Sequence, residues 1–179
     1  MERIGVFCAS SERMAPQYYE AAEALGRWIG ESGKTLVYGG ANCGLMESVA
    51  RSVKKAGGQV FGVVPRKLVS EGRVSDYIDI TFHCNDLSDR KQWLIDESDI
   101  MIVLPGSVGT FDEAFCAMAS NTFGMHGKKV VFWNIDGFYD LLFSFLDTLE
   151  GRGVLNKPLS SIMEKVETLD EIKDICGKY

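Results

Sequence analysis

An α/β fold is predicted: a Rossmann-like, doubly wound and mainly parallel sheet of six to seven strands with helices on both faces. Three observations predict it. Short apolar runs alternate with longer helix-like segments along the whole chain. The short runs are rich in Val, Ile and aromatic residues, as strands buried on both faces should be. Several of the turns after those runs are glycine-rich and lead straight into a helical pattern.

In chain order, strands are expected at Ile4–Cys8, Thr35–Tyr38, Val60–Val64, Tyr77–Phe82, Ile100–Leu104 and Val130–Trp133. Between them, Tyr18–Glu31, Leu45–Lys55, Leu87–Glu97, Thr110–Phe123 and Tyr139–Leu149 carry apolar residues at three- and four-residue spacings. Ala22, Leu25, Trp28 and Ile29 make one stripe of the first helix. The tail reads as a brief strand over Ile162–Val166 and a short helix from Leu169. No repeat, low-complexity tract or linker divides the chain, and 179 residues fit one nucleotide-binding domain over 1–179.

Composition narrows the functional classes. With 46% hydrophobic and 25% charged residues the chain is an ordinary globular one, and four prolines exclude a proline-rich stalk. Nineteen basic against 25 acidic side chains give a net charge of −6, which argues against a polymeric nucleic acid as partner. Any phosphate is then bound locally, by backbone donors and one or two cations. The five cysteines, Cys8, Cys43, Cys84, Cys116 and Cys176, are odd in number and lack a CxxC, a pattern of reduced thiols rather than a disulfide framework. The first residues lack the apolar stretch of a signal peptide, and no run approaches the ~20 apolar residues of a membrane span. A cytoplasmic protein with no membrane partner is expected.

In a parallel α/β sheet ligands bind beyond the carboxyl ends of the strands. Four turns stand out there: Ala9-Ser10-Ser11 after the first strand, Gly39-Gly40-Ala41-Asn42-Cys43-Gly44 after the second, Asn85-Asp86-Leu87-Ser88 leading into Asp89-Arg90-Lys91, and Pro105-Gly106-Ser107-Val108-Gly109-Thr110 after the fifth. Glycines that open a helix let the backbone approach a ligand, and the free N–H groups of a helix N-terminus attract anions, so a phosphate is the natural guest. The plainer alternative is that the glycines only permit tight turns. Neither turn is a GxxxxGK[ST] loop. The second would be GxGxxG only with glycine at Ala41, and the third strand ends in Pro65-Arg66-Lys67 with no acid for a ribose hydroxyl, so a dehydrogenase is weakly supported. His83 and His126 are the only histidines, far apart in sequence, and give neither a metal site nor a Ser/His/Asp triad. No metal and no cofactor is expected.

Thr110-Phe111-Asp112-Glu113 fits a capping box, with Thr110 as cap and Glu113 reaching back to the cap N–H. That reading leaves Gly106 and Gly109 unexplained. It also leaves Arg90 near a helix start, where a cation opposes the macrodipole. A site built around Glu113 accounts for all of them.

These residues resemble a known family. Val103-Leu104-Pro105-Gly106-Ser107-Val108-Gly109-Thr110-Phe111-Asp112-Glu113 resembles the PGGxGTxxE signature of the LONELY GUY family of cytokinin riboside 5′-monophosphate phosphoribohydrolases, long labelled "lysine decarboxylase-like". Val37-Tyr38-Gly39-Gly40-Ala41-Asn42-Cys43-Gly44-Leu45-Met46 is similar to its VYGGGxxGLM, Asp89-Arg90-Lys91 to its M-x-x-R-K, and Phe7-Cys8-Ala9-Ser10-Ser11 to its FCGSS. Ser107, Ala41, Leu87 and Glu47 depart from the pattern. The resemblance implies hydrolysis of the N-glycosidic bond of a purine nucleoside 5′-monophosphate, with adenine or N6-modified adenine as base, by a protein that assembles as a homodimer or larger. It implies Glu113 and Arg90 as catalytic residues. Gly39, Gly40, Gly44, Gly106, Ser107, Gly109, Thr110, Ser10 and Lys91 are the expected substrate- and phosphate-binding residues. Glu113 would stabilise the cationic ribose and deprotonate water; Arg90 would position the nucleotide or orient Glu113. Lysine decarboxylation would need a pyridoxal phosphate lysine with an acidic partner, for which Lys91 is no better placed than other lysines. The alternative is a non-catalytic carrier of a nucleotide or pterin-type cofactor, since related Rossmann-like carriers share the glycine-rich turns. The helix after Thr110, apolar on more than one stripe through Phe111, Phe115, Cys116, Met118 and Phe123, is the residue-level reason to expect a homodimer.

Overall fold

The computed structural model describes residues 2–177. Seven strands form one sheet: β1 (Arg3–Phe7), β2 (Thr35–Tyr38), β3 (Gln59–Pro65), β4 (Ile80–Cys84), β5 (Ile100–Val103), β6 (Val130–Trp133) and β7 (Met163–Val166). Their order across the sheet is β4-β3-β2-β1-β5-β6-β7, and every pairing is parallel. The order reverses between β1 and β5. Register brings the carboxyl ends level there, with Val6 beside Tyr38 and Phe7 beside Val103. In open parallel sheets the crevice at such a reversal is where ligands bind.

The strands alternate between two cores with a period of two. Ile4, Val6, Leu36, Tyr38, Ile100 and Ile102 face the layer of α1 (Pro16–Glu31), α2 (Gly44–Lys55) and α8 (Leu169–Gly177). Phe7, Val37, Phe61, Val63, Met101 and Val103 face α4 (Leu87–Asp96), α5 (Val108–Phe123) and α6 (Asp140–Gly151). Both faces of the sheet are therefore apolar, which is why the strands read as continuous hydrophobic runs.

Several boundaries differ from the sequence expectation. The fourth strand is Ile80–Cys84, not Tyr77–Phe82; Asp79 ends the lead-in by accepting the Val60 N–H at 2.8 Å while Tyr77 and Ile78 pack on the core. The strand expected at Ile162–Val166 is β7, one residue shorter at its start, where the short helix α7 (Leu159–Ile162) takes Ile162. Helix α3 (Arg66–Ser70) was not expected, because five residues are too few to show a helical period. The fifth helix begins at Val108 rather than Thr110, with Ser107 as its N-cap.

Candidate active site

The turns after β1, β2, β3, β4 and β5 surround one cleft of about 590 Å³ at the reversal point. The β1 and β5 turns are tied together at its base by the Ala9 N–H donating to Pro105 C=O at 3.2 Å. Glu113, Arg90, Ser10, Ser107, Gly109 and Thr110 line it.

Glu113 lies on the second turn of α5, six residues past the Ser107 cap, so the capping box expected at Thr110 and Glu113 does not form. The reason is the earlier helix start: with Ser107 as cap, Thr110 is already a first-turn residue and Glu113 points to the interior. Glu113 is 4% exposed. Its carboxylate accepts from Arg90 Nη1 at 2.5 Å. The other two guanidinium nitrogens donate to the backbone, Nη2 to Gly39 C=O at 3.2 Å and Nε to Val63 C=O at 3.4 Å. The arginine is thus pinned from three elements, and a charge-assisted bond holds the carboxylate in place. Burial pushes the Glu113 carboxyl above the usual glutamate range, while Arg90 pulls in the opposite direction. The neighbouring Cys8 thiol is raised by burial and then by Glu113, so it stays protonated.

The glycines have distinct tasks. Gly39 leaves the space that Arg90 fills, for a Cβ there would overlap the guanidinium, with Cζ at 3.0 Å. Gly106 leaves the space for the Thr110 side chain, whose Cγ2 would lie 2.8 Å from a Cβ. Gly44, with φ +61°, packs its backbone on the β1 turn, where a Cβ would be 2.6 Å from Ser11 O. The N–H groups of Leu45 and Met46 that follow donate to Ala9 C=O at 2.9 and 3.3 Å. The N-terminus of α2 is therefore occupied by protein. Gly40 accepts from the Ser75 N–H at 3.0 Å and supports the loop after α3. Gly39, Gly40, Gly44 and Gly106 shape the site from behind its walls rather than lining the cleft.

At α5 the first intrahelical bond runs from the Phe111 N–H to Ser107 C=O at 3.0 Å. That leaves the preceding N–H groups, among them those of the cleft-lining Gly109 and Thr110, without an intrahelical acceptor, the usual donor set of a helix start. The N-terminus of α4 is closed instead: the Asp86 side chain accepts from the Ser88 and Asp89 N–H groups, both at 2.8 Å. Of the two glycine-rich helix starts, that of α2 donates to Ala9 while that of α5 has no side-chain cap. Lys91 does not line the cleft; its ammonium donates to Asp112 at 2.7 Å between α4 and α5.

Sequence reasoning missed the far wall, made by Met46, Pro65, Leu68 and the charged residues Arg66, Lys67, Glu71 and Arg73 of α3 and its following loop. The signal was Pro65-Arg66-Lys67, a cationic step at the carboxyl end of a strand.

Comparison with known proteins places the chain in a family. A family model described as "Possible lysine decarboxylase" matches residues 46–176. The chain is 36% identical over 178 residues to cytokinin riboside 5′-monophosphate phosphoribohydrolase LOG5 of Arabidopsis thaliana, covering 99% of this chain and 78% of that one. It is 33% identical to LOG7 of the same plant, covering 99% and 82%. Among solved structures, the molybdenum cofactor binding protein of Rippkaea orientalis superposes with a TM-score of 0.76 at 24% identity, over 99% of this chain and 96% of that one. The Moco carrier protein of Chlamydomonas reinhardtii does so with 0.74 at 21%, over 99% of each; these likenesses are of fold. By its matched family model and by relatives a third identical along almost all its length, the chain belongs to the LONELY GUY family, the group whose model carries the lysine decarboxylase label.

Proposed function

We propose that the protein hydrolyses the N-glycosidic bond of a purine nucleoside 5′-monophosphate, with adenine or an N6-modified adenine as base, to free base and ribose 5-phosphate. The observation that carries this reading is the buried Arg90–Glu113 pair in the same cleft as the open start of α5. The 5′-phosphate sits on the N–H groups of Gly109 and Thr110, helped by the hydroxyls of Thr110 and Ser10 and by the helix dipole. Water attacks C1′ and passes a proton to Glu113 as the C–N bond breaks; the bond electrons leave with the base, which takes up a proton. The Glu113 carboxylate also balances the cationic ribose, and Arg90 fixes its orientation. The base lies toward Met46, Pro65 and Leu68.

Lysine decarboxylation fits these residues poorly. The lysine that lines the cleft, Lys67, has a side chain 82% exposed, whereas a Schiff-base lysine needs a desolvated amine. A non-catalytic carrier of a nucleotide or pterin-type cofactor is the second reading, favoured by the fold shared with the two molybdenum cofactor proteins. The two part on one assay. Release of base from AMP and N6-substituted AMP, with the matching nucleosides cleaved poorly, supports the hydrolase; tight binding of nucleotide without turnover supports the carrier.

We place the protein in the cytoplasm, acting on a small nucleotide as one domain whose strands all join one sheet, with its cysteines free. No helix among the described residues is long and apolar enough to cross a membrane. It works as a homodimer: Phe123 and Leu141 are exposed, as are Phe115 and Phe145 on the same two helices, and such exposed apolar residues seek a partner. A monomeric mass by light scattering at micromolar concentration contradicts the dimer.

A further inference from the structure

The Arg90–Glu113 pair has a companion. Lys91 follows Arg90 on α4 and Asp112 precedes Glu113 on α5, and these two also meet, at 2.7 Å. Consecutive helical residues point about 100° apart. The two pairs therefore join α4 and α5 on different sides, one within the cleft and one at the surface. The inner pair is buried, while the side chains of Lys91 and Asp112 are 19% and 48% exposed.

Stability alone is a weak reason for the outer pair. A half-exposed ion pair contributes about 0–1 kcal/mol at most. Its position is the informative part. α4 starts after its cap Asp86 and α5 after Ser107, and each presents its half of the buried pair soon afterwards. A small slide of α4 along α5 would carry Arg90 away from the Glu113 oxygen, and Lys91–Asp112 is the bond that resists the slide. Each member is also a full charge one residue from the buried pair.

We propose that Lys91 and Asp112 are positioning residues: their ion pair holds α4 and α5 in register and sets the local field at Glu113. The inference rests on Glu113 being the working carboxylate of the proposed hydrolysis. The charged and titratable groups whose fields reach Glu113 are Arg90 and Lys91 from α4, Asp112 from its own helix and Cys8 from the end of β1. The protonated Cys8 adds no charge, so Arg90, Lys91 and Asp112 set the field. Lys91 favours the ionised carboxylate and Asp112 opposes it. Removing either one therefore moves the titration of Glu113 in a direction of its own, which a merely structural surface contact would not do.

The test uses Lys91→Met, Asp112→Asn, the double variant and Lys91→Arg in the full chain, each checked for a wild-type melting curve. The Glu113 side-chain carboxyl carbon is titrated by 13C NMR without ligand, and kcat and KM for AMP are measured across the acid limb. Lys91→Met is expected to move the midpoint upward and lower kcat on the acid limb about threefold, the size of effect a single nearby charge produces. Asp112→Asn is expected to move it downward, the double variant to return toward wild type, and Lys91→Arg to restore wild-type behaviour, with KM changing less than kcat throughout. Coincident midpoints in all variants overturn the proposal, as do shifts of the same sign in both single variants. The carboxyl titration needs no turnover. A wild-type protein that releases no base therefore refutes the hydrolase while the opposed shifts still stand, and turnover with coincident midpoints refutes the pair alone.

Discussion

Gly39→Ala separates two tasks that a glycine at this turn can have. If Gly39 cradles phosphate, an added methyl weakens nucleotide binding and raises KM. The structure gives it another task, because the added Cβ would lie 3.0 Å from Arg90 Cζ and overlap the outer guanidinium nitrogen, with Met46 Cε closing the other side at 3.3 Å. Non-bonded heavy atoms rest at about 3.5 Å, and the overlapping outer nitrogen is the closest atom, so the guanidinium must retreat by roughly 1.5 Å. That movement breaks or lengthens the 3.2 Å bond to Gly39 C=O and the 3.4 Å bond to Val63 C=O, and it turns the 2.5 Å bond to Glu113 off its axis. Misplacing a catalytic group by about 1 Å costs on the order of 10²-fold in rate. Loss of hydrogen bonds to a charged group costs about 1.5–3 kcal/mol of stability, a fall of several degrees in Tm for a chain of this size. Steady-state kinetics with AMP beside a melting curve read both. The expected result is a kcat lower by about 100-fold with KM changed by less than threefold. A Gly39→Ala protein with wild-type kcat and a raised KM refutes the reasoning and returns Gly39 to the phosphate.

Other changes probe the rest of the site. Gly109→Ala meets no protein atom, so it should melt slightly higher, by up to about 1 kcal/mol, yet raise KM because its methyl enters the phosphate's place; an unchanged KM removes Gly109 from the anion site. Ser107→Gly should cost only a few tenths of a kcal/mol and keep or raise activity, since the Ser107 side chain makes no capping bond; a large loss of nucleotide affinity would make its hydroxyl a ligand. The acid limb of the rate–pH profile should lie above the ordinary glutamate value of 4.5, because burial raises Glu113 and the working form is ionised. The same shift gives a stability contribution that is full below 4.5 and lost as pH rises through the raised value, so wild type should lose stability across that window and Glu113→Gln should not.

The fold was legible because period-two burial on both faces leaves continuous apolar strands, and because helices of ten or more residues show their stripe. Short elements were not: α3 and α7 hold too few residues for a period, and α3 carries much of the far wall that went unread, while the tail strand and last helix fell within a residue of expectation. At the site, Arg90, Glu113, Gly109 and Thr110 were legible as a cation, a carboxylate and a helix start at one sheet edge. The tasks of Gly39, Gly44 and Lys91 were not, since each is set by a side chain or backbone distant in sequence: Arg90 over Gly39, Ser10 and Ser11 against Gly44, Asp112 beside Lys91. The capping box misled for a related reason. Its spacing was correct, but Ser107 took the cap and released Glu113 to the interior.

Glu113→Gln tests the central claim most directly. The introduced amide oxygen can still accept from Arg90, and the amide stands in for the neutral carboxyl that burial favours, so no large loss of stability is expected once wild-type Glu113 is ionised. A neutral amide can neither take a proton from water nor balance a cationic ribose. Adenine released from AMP is measured for both proteins at a temperature where both are folded, with AMP affinity followed by calorimetry. Turnover is predicted to fall by ~10²-fold or more with AMP still bound. A folded Glu113→Gln protein that releases adenine at the wild-type rate contradicts the claim.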